Sequence, residues 1–514
     1  MNGFKLMAPP TPVTEPFPLD IFNGDNSYAR LPHRFFARVT PVPVAEPRLI
    51  RLNQKLAAQL GLDPDALATP AGLEILSGNR VAPNSEPLAM AYAGHQFGHF
   101  VPQLGDGRAI LLGEITSLDS QGRGGQRRDL QLKGAGRTPW SRGGDGRAAL
   151  GPVLREYLLS EAMAALGIPT TRALAAVITG ETVWRDTPLP GAIFTRVASS
   201  HIRIGTFQYF AARRDLDAVR LLADHVIGRH YPQCAVAPNP YRALLDAVIR
   251  SQAELVAQWM LVGFIHGVMN TDNMSIAGET LDYGPCAFMD ACNPDTVYSF
   301  IDSRGRYAFG NQPRIAHWNL TRLAETLVEL LANDEAAAIK EAEAALEAFP
   351  THYDSAYAAG LRRKLGLSKS DLDDQNLAQN LLDCMTRNHA DYTLTFRRLC
   401  DAAASPDHDP ALRSLFTNPA ELDTWLEKWR HRLALEGANP NTRRDAMRAV
   451  NPHFIPRNHL VEEVIVAAVN NHDFQPFETL LTVLSEPHKD QPGLERYALP
   501  PQPDQVVRNT FCGT

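Results

Sequence analysis

Residues 266–284 read HGVMNTDNMSIAGETLDYG and close the run YRALLDAVIRSQAELVAQWMLVGFIHGVM (241–269), which is apolar enough to predict a helix buried on most sides. The stretch offers Asn273 and then, after a span short enough for one hairpin, Asp282-Tyr283-Gly284. Two hard oxygen donors with room beside them for phosphate oxygens and water suit Mg²⁺ or Mn²⁺. A turn followed by a chance Asp-Tyr-Gly would read the same in isolation. The upstream sequence decides between them.

Upstream, Gly122 to Arg147 holds seven basic residues against two acidic ones, together with eight glycines. Glycine lets backbone N–H groups come close to an anion and fixed cations offset its charge, a combination suited to polyphosphate; a solvated basic loop is the alternative. Lys133 differs from the other cations because it closes the alternating run DLQLK, so a sheet aims its side chain. A helix pattern from Arg147 to Leu166 follows, with Asp145 as candidate N-cap and Glu156 and Glu161 as candidate partners for Lys133. A strand lysine, a helix glutamate, a loop asparagine and an Asp-aromatic-Gly, in that order, are the parts protein kinases use to hold ATP and its metal. One part differs. Where small-molecule kinases read HGDxHxxN, Val268 stands in place of the catalytic aspartate, and Asp272 lies beside Asn273 instead.

The remaining chain predicts an α+β protein with a two-lobed, kinase-like fold. Residues 1–88, rich in proline turns with a short helix at 53–60, read as an N-terminal extension; 89–200 as a strand-rich lobe; 201–330 as a helical lobe; 331–514 as further helices and an extended tail. Strands are expected within 109–131, with GRGGQRR as hairpin or loop, and at 173–178, 182–184 and 191–197, joined at Gly180, Pro188 and Pro190. Later helix patterns cover 320–349, 371–404 and 419–433. Gly105-Asp106-Gly107-Arg108 reads as a tight turn into the strand AILLGEI, either cradling phosphate or forming a plain hairpin. His95 and His99 lack an HExxH glutamate, so packed histidines are favoured over zinc.

Composition bounds the function. The 514 residues carry 57 acidic against 50 basic side chains, a formal charge of −7, which removes the overall electrostatic basis for wrapping nucleic acid. Six cysteines with no CxxC predict neither a disulfide scaffold nor a zinc site and make a reducing, cytoplasmic setting the expectation. The most apolar stretch, 259–268, is too short to span a bilayer, so no membrane partner is expected.

YAGHQFGHFVPQLGDGRA (92–109), QLKGAGRTPWSRGGDGRA (131–148), REYLLSEAMAALGIPTTRAL (155–174) and HGVMNTDNMSI…DYGP (266–285) occur in the order seen in the selenoprotein O family, and over most of its length the chain resembles a bacterial member of it. The resemblance implies a protein-kinase-like fold in which ATP lies reversed and AMP passes to a Ser, Thr or Tyr hydroxyl of a protein. Matched motif by motif, it implies nucleotide contacts at Gly105, Gly107, Arg108, Lys133, Asp145, Gly146, Arg196, Arg203 and Asp282. It makes Glu156 the partner of Lys133, Asp272 the proton acceptor, and Asn273 and Asp282 the metal ligands. Departures are the inserted SQGRGGQRR, Arg137 where many members have proline, and an ending FCGT in which Cys512 stands near where some members carry selenocysteine. Redox pairing of Cys512 with Cys286 or Cys292 is the corresponding expectation. Residue spacing does not report nucleotide orientation or choose between ATP and UTP. A γ-phosphoryl-transferring kinase and a nucleotide-binding pseudokinase scaffold therefore stand as alternatives.

Overall fold

The computed structural model describes residues 25–118 and 124–510. Its strands are β1 (Phe36–Arg38), β2 (Arg48–Leu52), β3 (Leu88–Met90), β4 (Gly94–Gln96), β5 (His99–Val101), β6 (Ala109–Leu118), β7 (Gly124–Lys133), β8 (Ala148–Ala149), β9 (Arg172–Trp184), β10 (Pro188–Ala198), β11 (Phe264–Ile265) and β12 (Ala287–Phe288). Eight of them form one antiparallel sheet in the order β1-β3-β6-β7-β10-β9-β2, with β8 added beside β10. The mixed helix and strand content agrees with the expected α+β class. The residues before Pro87 do more than pack on the sheet, because β1 and β2 are its two edges.

Alternation sorts the sheet residues onto two faces. Ile110, Leu112, Leu130 and Leu132 pack with Leu56 of helix α1 (Gln54–Gln59) and with Leu67, Ile75 and Leu76. The opposite face, with Leu111 and Phe194, packs against Leu154 and Leu158 of helix α2 (Leu150–Ala165). Gln131 and Lys133 alternate with Leu130 and Leu132, and they pair in register with Arg196 and Phe194 of β10. The polar side chains that matter for chemistry thus point to the α2 side.

Several boundaries differ from the sequence reading. Helix α2 begins at Leu150 because Ala148 and Ala149 are held extended against Ala192 and Gly191, so Asp145 is not its N-cap. The three short strands expected after it are two long ones; Gly180 (φ 73°) lies within β9, Pro188 and Pro190 lie in β10, and the turn falls at 185–187. Pro190 is tolerated because the register shifts there. Gly124–Arg128 of the expected loop belong to β7, while Gly122 and Arg123 lie outside the described residues.

Helices α3 (Ile204–Ala211), α4 (Leu216–His230), α5 (Pro240–Val262) and α6 (Gln312–Leu331) follow. Asn239 caps α5 by accepting the Arg242 N–H, and Gly263 (φ 74°) ends it, so the expected helix stops short of Val268 and Phe264–Ile265 pairs with β12 instead. The pattern at 320–349 divides between α6 and Glu335–Leu346, and the one at 371–404 divides at His389 into Asp374–Asn388 and Tyr392–Ala402. Helices α7 (Asn458–Asn471) and α8 (Gln475–Leu484) return to cover α2, with Tyr157 edge-on to Phe477. This explains why α2 is buried almost all round. Among the described residues no helix is long and apolar enough to cross a membrane.

Candidate active site

The site forms where the α2 face of the sheet meets the segment after α5. Lys133 Nζ lies 2.5 Å from Glu156 Oε2 and 3.1 Å from Asp282 Oδ1. Arg196 reaches both carboxylates, at 3.1 Å to Glu156 Oε1 and 2.6 Å to Asp282 Oδ1, and donates to Gln131 Oε1 at 2.6 Å. Arg203, which precedes α3, donates to Asp282 Oδ2 at 3.0 Å and to the Asp272 carbonyl at 2.8 Å. Asp282 is therefore the point where three cations converge. Burial opposes its ionisation, but Arg196, Lys133 and Arg203 outweigh burial and hold its carboxyl well below the usual range. The other candidate glutamate, Glu161, is engaged elsewhere by Asn53, Arg172 and the Ala173 N–H.

The loop 266–273 is pinned from several directions. His266, buried, contacts the Leu281 carbonyl through Nε2 at 3.1 Å and so ties the loop to Asp282. Asn273 Nδ2 donates to the Val268 carbonyl at 3.0 Å. From the opposite side the β4–β5 hairpin packs onto the loop. The His95 N–H donates to Thr271 Oγ1 (2.7 Å), Gln96 Nε2 donates to Asp272 Oδ2 (3.1 Å), and the Phe97 N–H donates to Asn270 Oδ1 (3.0 Å). Asp272 Oδ1 is buried and has no hydrogen-bond partner among the described residues, and burial pushes the carboxyl up to about 6 against the Gln96 bond. That is the protonation behaviour of a group able to take a proton near neutral pH.

The glycine-rich segments meet each other. A Cβ on Gly105 would fall 2.2 Å from Trp140 Cγ, one on Gly107 2.8 Å from the Trp140 carbonyl, and one on Gly146 2.1 Å from the Gly136 carbonyl. The Gly134 N–H donates to the Arg108 carbonyl (2.7 Å) and the Gly136 N–H to that of Gly146 (3.1 Å), so the GDGR turn, the LKGAG turn and the GGDGR turn form one layer around the end of β7. The Asp145 carboxylate accepts from the Arg147 N–H and from Arg185 Nη1, at 2.9 Å each. His95 and His99 lie on the paired strands β4 and β5, and Gln208 bonds His95 Nδ1 at 2.8 Å.

The structure adds partners that the sequence reading passed over. Asp106 is buried, accepts the Met90 N–H and lies 3.7 Å from Arg203; Tyr92 stacks under the Arg203 guanidinium; Gln131 holds Arg196; Gln96 holds Asp272. Asp106 sits inside the quoted GDGR, and Gln131 is two residues before Lys133 on the same strand face, a signal alternation could have given. Gln96 and Tyr92 carry no local signal.

No group of three or more His, Cys, Asp and Glu that could hold a metal occurs among the described residues, so a metal here would take phosphate oxygens or water as further ligands. The donors present fit a hard cation. They are the Asn273 side-chain oxygen, whose amide nitrogen is engaged with Val268, and the ionised Asp282. No thiol or imidazole stands among them. Cys286 and Cys292 are buried, with thiols that burial pushes up, and Cys512 lies outside the described residues.

The family model described as protein adenylyltransferase SelO matches residues 21–485. A protein of Rhodopseudomonas palustris (strain ATCC BAA-98 / CGA009) named protein nucleotidyltransferase YdiU is 64% identical over 493 residues, covering 96% of this chain and 99% of that protein. Proteins of the same name from Bradyrhizobium sp. (strain BTAi1 / ATCC BAA-1182) and Methylorubrum extorquens (strain PA1) are also 64% identical, with the same coverage.

Proposed function

The chain belongs to the SelO family and is a protein adenylyltransferase, and from that premise we propose how its residues divide the work. Lys133, Arg196 and Arg203 hold the triphosphate, with the turns carrying Gly105, Gly107, Arg108, Asp145 and Gly146 beside it. Glu156 positions Lys133. Asn273 and Asp282 would hold Mg²⁺ or Mn²⁺, which when bound offsets phosphate charge. Asp272 accepts the proton of a protein Ser, Thr or Tyr hydroxyl. The acceptor oxygen bonds to the α phosphorus of ATP, the bond from that phosphorus to the bridging oxygen breaks, and the β and γ phosphates leave as pyrophosphate.

The observation that carries this reading is the pair formed by Asp282 and Asp272. One carboxylate is locked among three cations, and the other, six residues after His266 where a kinase would have its aspartate at Val268, keeps one oxygen without a partner. A metal-and-cation centre and a proton acceptor are the two things nucleotidyl transfer needs. We read the arrangement as kinase-like, with nucleotide between the sheet and α2 (within 89–200) and the helical residues 201–330. Residues 1–88 and 331–514 add to those two lobes.

Incubation with ATP labelled at the α phosphorus tests it. Label should reach protein hydroxyls from the α position and not from the γ position. Transfer from γ alone would make the chain a kinase, and ATP binding with no transfer from either position would make it a scaffold.

A further inference from the structure

Asp272 has two sides. Its carbonyl faces Arg203 and the triphosphate cations, whereas its carboxylate faces Gln96 and the β4–β5 hairpin. Under the proposed function, the acceptor hydroxyl has to arrive on the carboxylate side. The surface there is not generic.

On that side the hairpin leans on a cationic and aromatic cluster. The Trp318 indole lies edge-on to the His95 ring at 5.2 Å and beneath two guanidinium groups, Arg306 at 4.7 Å and Arg322 at 5.0 Å. Arg306 also covers Gly98 at the hairpin tip, where a Cβ would lie 3.5 Å from Cζ, and its neighbour Tyr307 bonds Asn270 of the catalytic loop at 2.6 Å. Phe100, 40% exposed, presents its ring from β5 beside His95. The cluster is thus continuous with the loop that carries Asp272.

The charges around it do not cancel. Glu325 neutralises Arg322 at 2.6 Å. Asp302, the carboxylate nearest Arg306 in sequence, uses Oδ1 on the Arg306 N–H and Oδ2 on the Tyr307 N–H. Arg306 makes no ion pair among the described residues, and its Nε is buried without a partner. Arg213, stacked on Tyr209 and donating to the Pro102 carbonyl just beyond β5, adds a second guanidinium with no carboxylate partner among them. A guanidinium stacked on a ring keeps its in-plane N–H donors for a carboxylate. This cationic patch sits on a chain whose formal charge is −7, so it runs against the overall field.

We propose that the surface formed by the β4–β5 hairpin, Trp318, Arg306 and Arg322 docks the acceptor protein, and that it selects Ser, Thr or Tyr hydroxyls flanked by Asp or Glu. The inference rests on the adenylyltransferase reading of Asp272. The aromatic ring gives contact area to the acceptor backbone, while Arg306 pairs with the flanking carboxylate. The nucleotide phosphates are the rival ligand for Arg306. Three other cations already converge on Asp282, on the far side of Asp272, which favours the acceptor.

The test uses the full chain with α-labelled ATP and short synthetic peptides bearing one Ser flanked by Glu, Gln or Lys. The Glu-flanked peptide should have the lowest KM, by about tenfold over the Lys-flanked one at low salt, and the difference should shrink as ionic strength rises. Arg306→Glu should reverse the order and Arg306→Gln should abolish it, with KM for ATP unchanged in both. An order that ignores peptide charge, an order that survives Arg306→Glu, or a raised KM for ATP alone overturns the proposal. So does labelling of proteins but of no acidic peptide. Absence of α-label transfer to any protein is the separate outcome that removes the adenylyltransferase reading itself.

Discussion

Arg196 Nη1 stands 2.6 Å from Asp282 Oδ1 and 3.1 Å from Glu156 Oε1, so one guanidinium joins the helix glutamate to the aspartate that follows the catalytic loop. Its Nη2 donates to Gln131, the cross-strand neighbour of Arg196 in register. A planar guanidinium spreads its donors over separate nitrogens and so reaches three acceptors that lie apart, whereas an ammonium gathers its three donors on a single atom. Arg196→Lys keeps the charge and loses that geometry. We expect at least a tenfold fall in kcat for α-label transfer with the fold intact by circular dichroism. An unchanged kcat would show that charge alone suffices.

The partners of Asp282 define a second prediction. In Asp282→Ala the cations Lys133, Arg196 and Arg203 lose a shared counter-ion, and a polyanion can replace it. Nucleotide binding in the absence of metal should therefore persist, while the increment that Mg²⁺ or Mn²⁺ adds disappears. Calorimetric titration with ATP, with and without metal, reads both quantities. An undiminished metal increment would remove Asp282 from the ligand set.

Much of this centre was legible in the sequence, for a reason that Lys133 illustrates. Alternation in DLQLK fixes which way a strand side chain points, and helix spacing fixes Glu156, so the pair needs only one packing event to meet. Asp282 was legible through its local Asp-aromatic-Gly pattern, although the left-handed backbone it adopts (φ 64°) was not. Gln96 was illegible because it reaches Asp272 across 176 residues of chain through the hairpin fold. The covering of α2 by α7 and α8 was hidden for the same reason. Asp145 failed as a helix cap because β8 holds the intervening residues extended, a tertiary pairing that overrides a capping preference.

Stability should fall as the pH drops below about 6.5. His201 is fully buried, and burial lowers it to about 4 despite its bond to Asp129; His225 and His488 are likewise lowered to about 4, and His230 to about 3. In the unfolded chain these imidazoles take up protons near pH 6.5, while in the folded chain they stay neutral until about pH 4. Proton uptake by the unfolded state therefore draws the equilibrium toward it between those limits. The thermal midpoint should decline across this window, and His201→Gln should flatten the slope by up to one proton. An equal slope in the variant would exclude His201 as a contributor.

Two glycines beside the catalytic loop separate activity from folding. A Cβ at Gly94 would stand 2.4 Å from Asp272 Oδ1, whereas one at Gly205 would stand 2.1 Å from the backbone carbonyl of Ala93. The carboxylate oxygen can rotate away, but Asp272 Cβ, which the new atom would meet at 2.9 Å, moves only with its backbone; the Ala93 carbonyl at 2.1 Å demands the larger shift. Gly94→Ala should cost less stability than Gly205→Ala, keep ATP affinity and lose most transfer activity, whereas Gly205→Ala should lower the thermal midpoint by several degrees. If Gly94→Ala transfers AMP normally, the orientation of Asp272 is not what limits the reaction.

The division of labour between the two aspartates is the sharpest consequence of the site. Asp272 touches Arg203 through its carbonyl, which any residue supplies; its carboxylate is turned to Gln96. Asp282 has the reverse arrangement, with both carboxylate oxygens on Lys133, Arg196 and Arg203. Asp272→Asn should leave ATP affinity, with and without metal, within about twofold of the parent, because no contact on the triphosphate side is lost. It should lower α-label transfer by roughly 10²- to 10⁴-fold, the usual contribution of a positioned general base. Asp282→Ala should lose the metal-dependent part of binding as well as transfer. The double variant should then be no slower than Asp282→Ala alone, since removing a base from a site that cannot hold metal-bound nucleotide costs nothing further. Loss of ATP affinity in Asp272→Asn equal to that in Asp282→Ala would place Asp272 on the nucleotide instead, and the acceptor proton would need another destination.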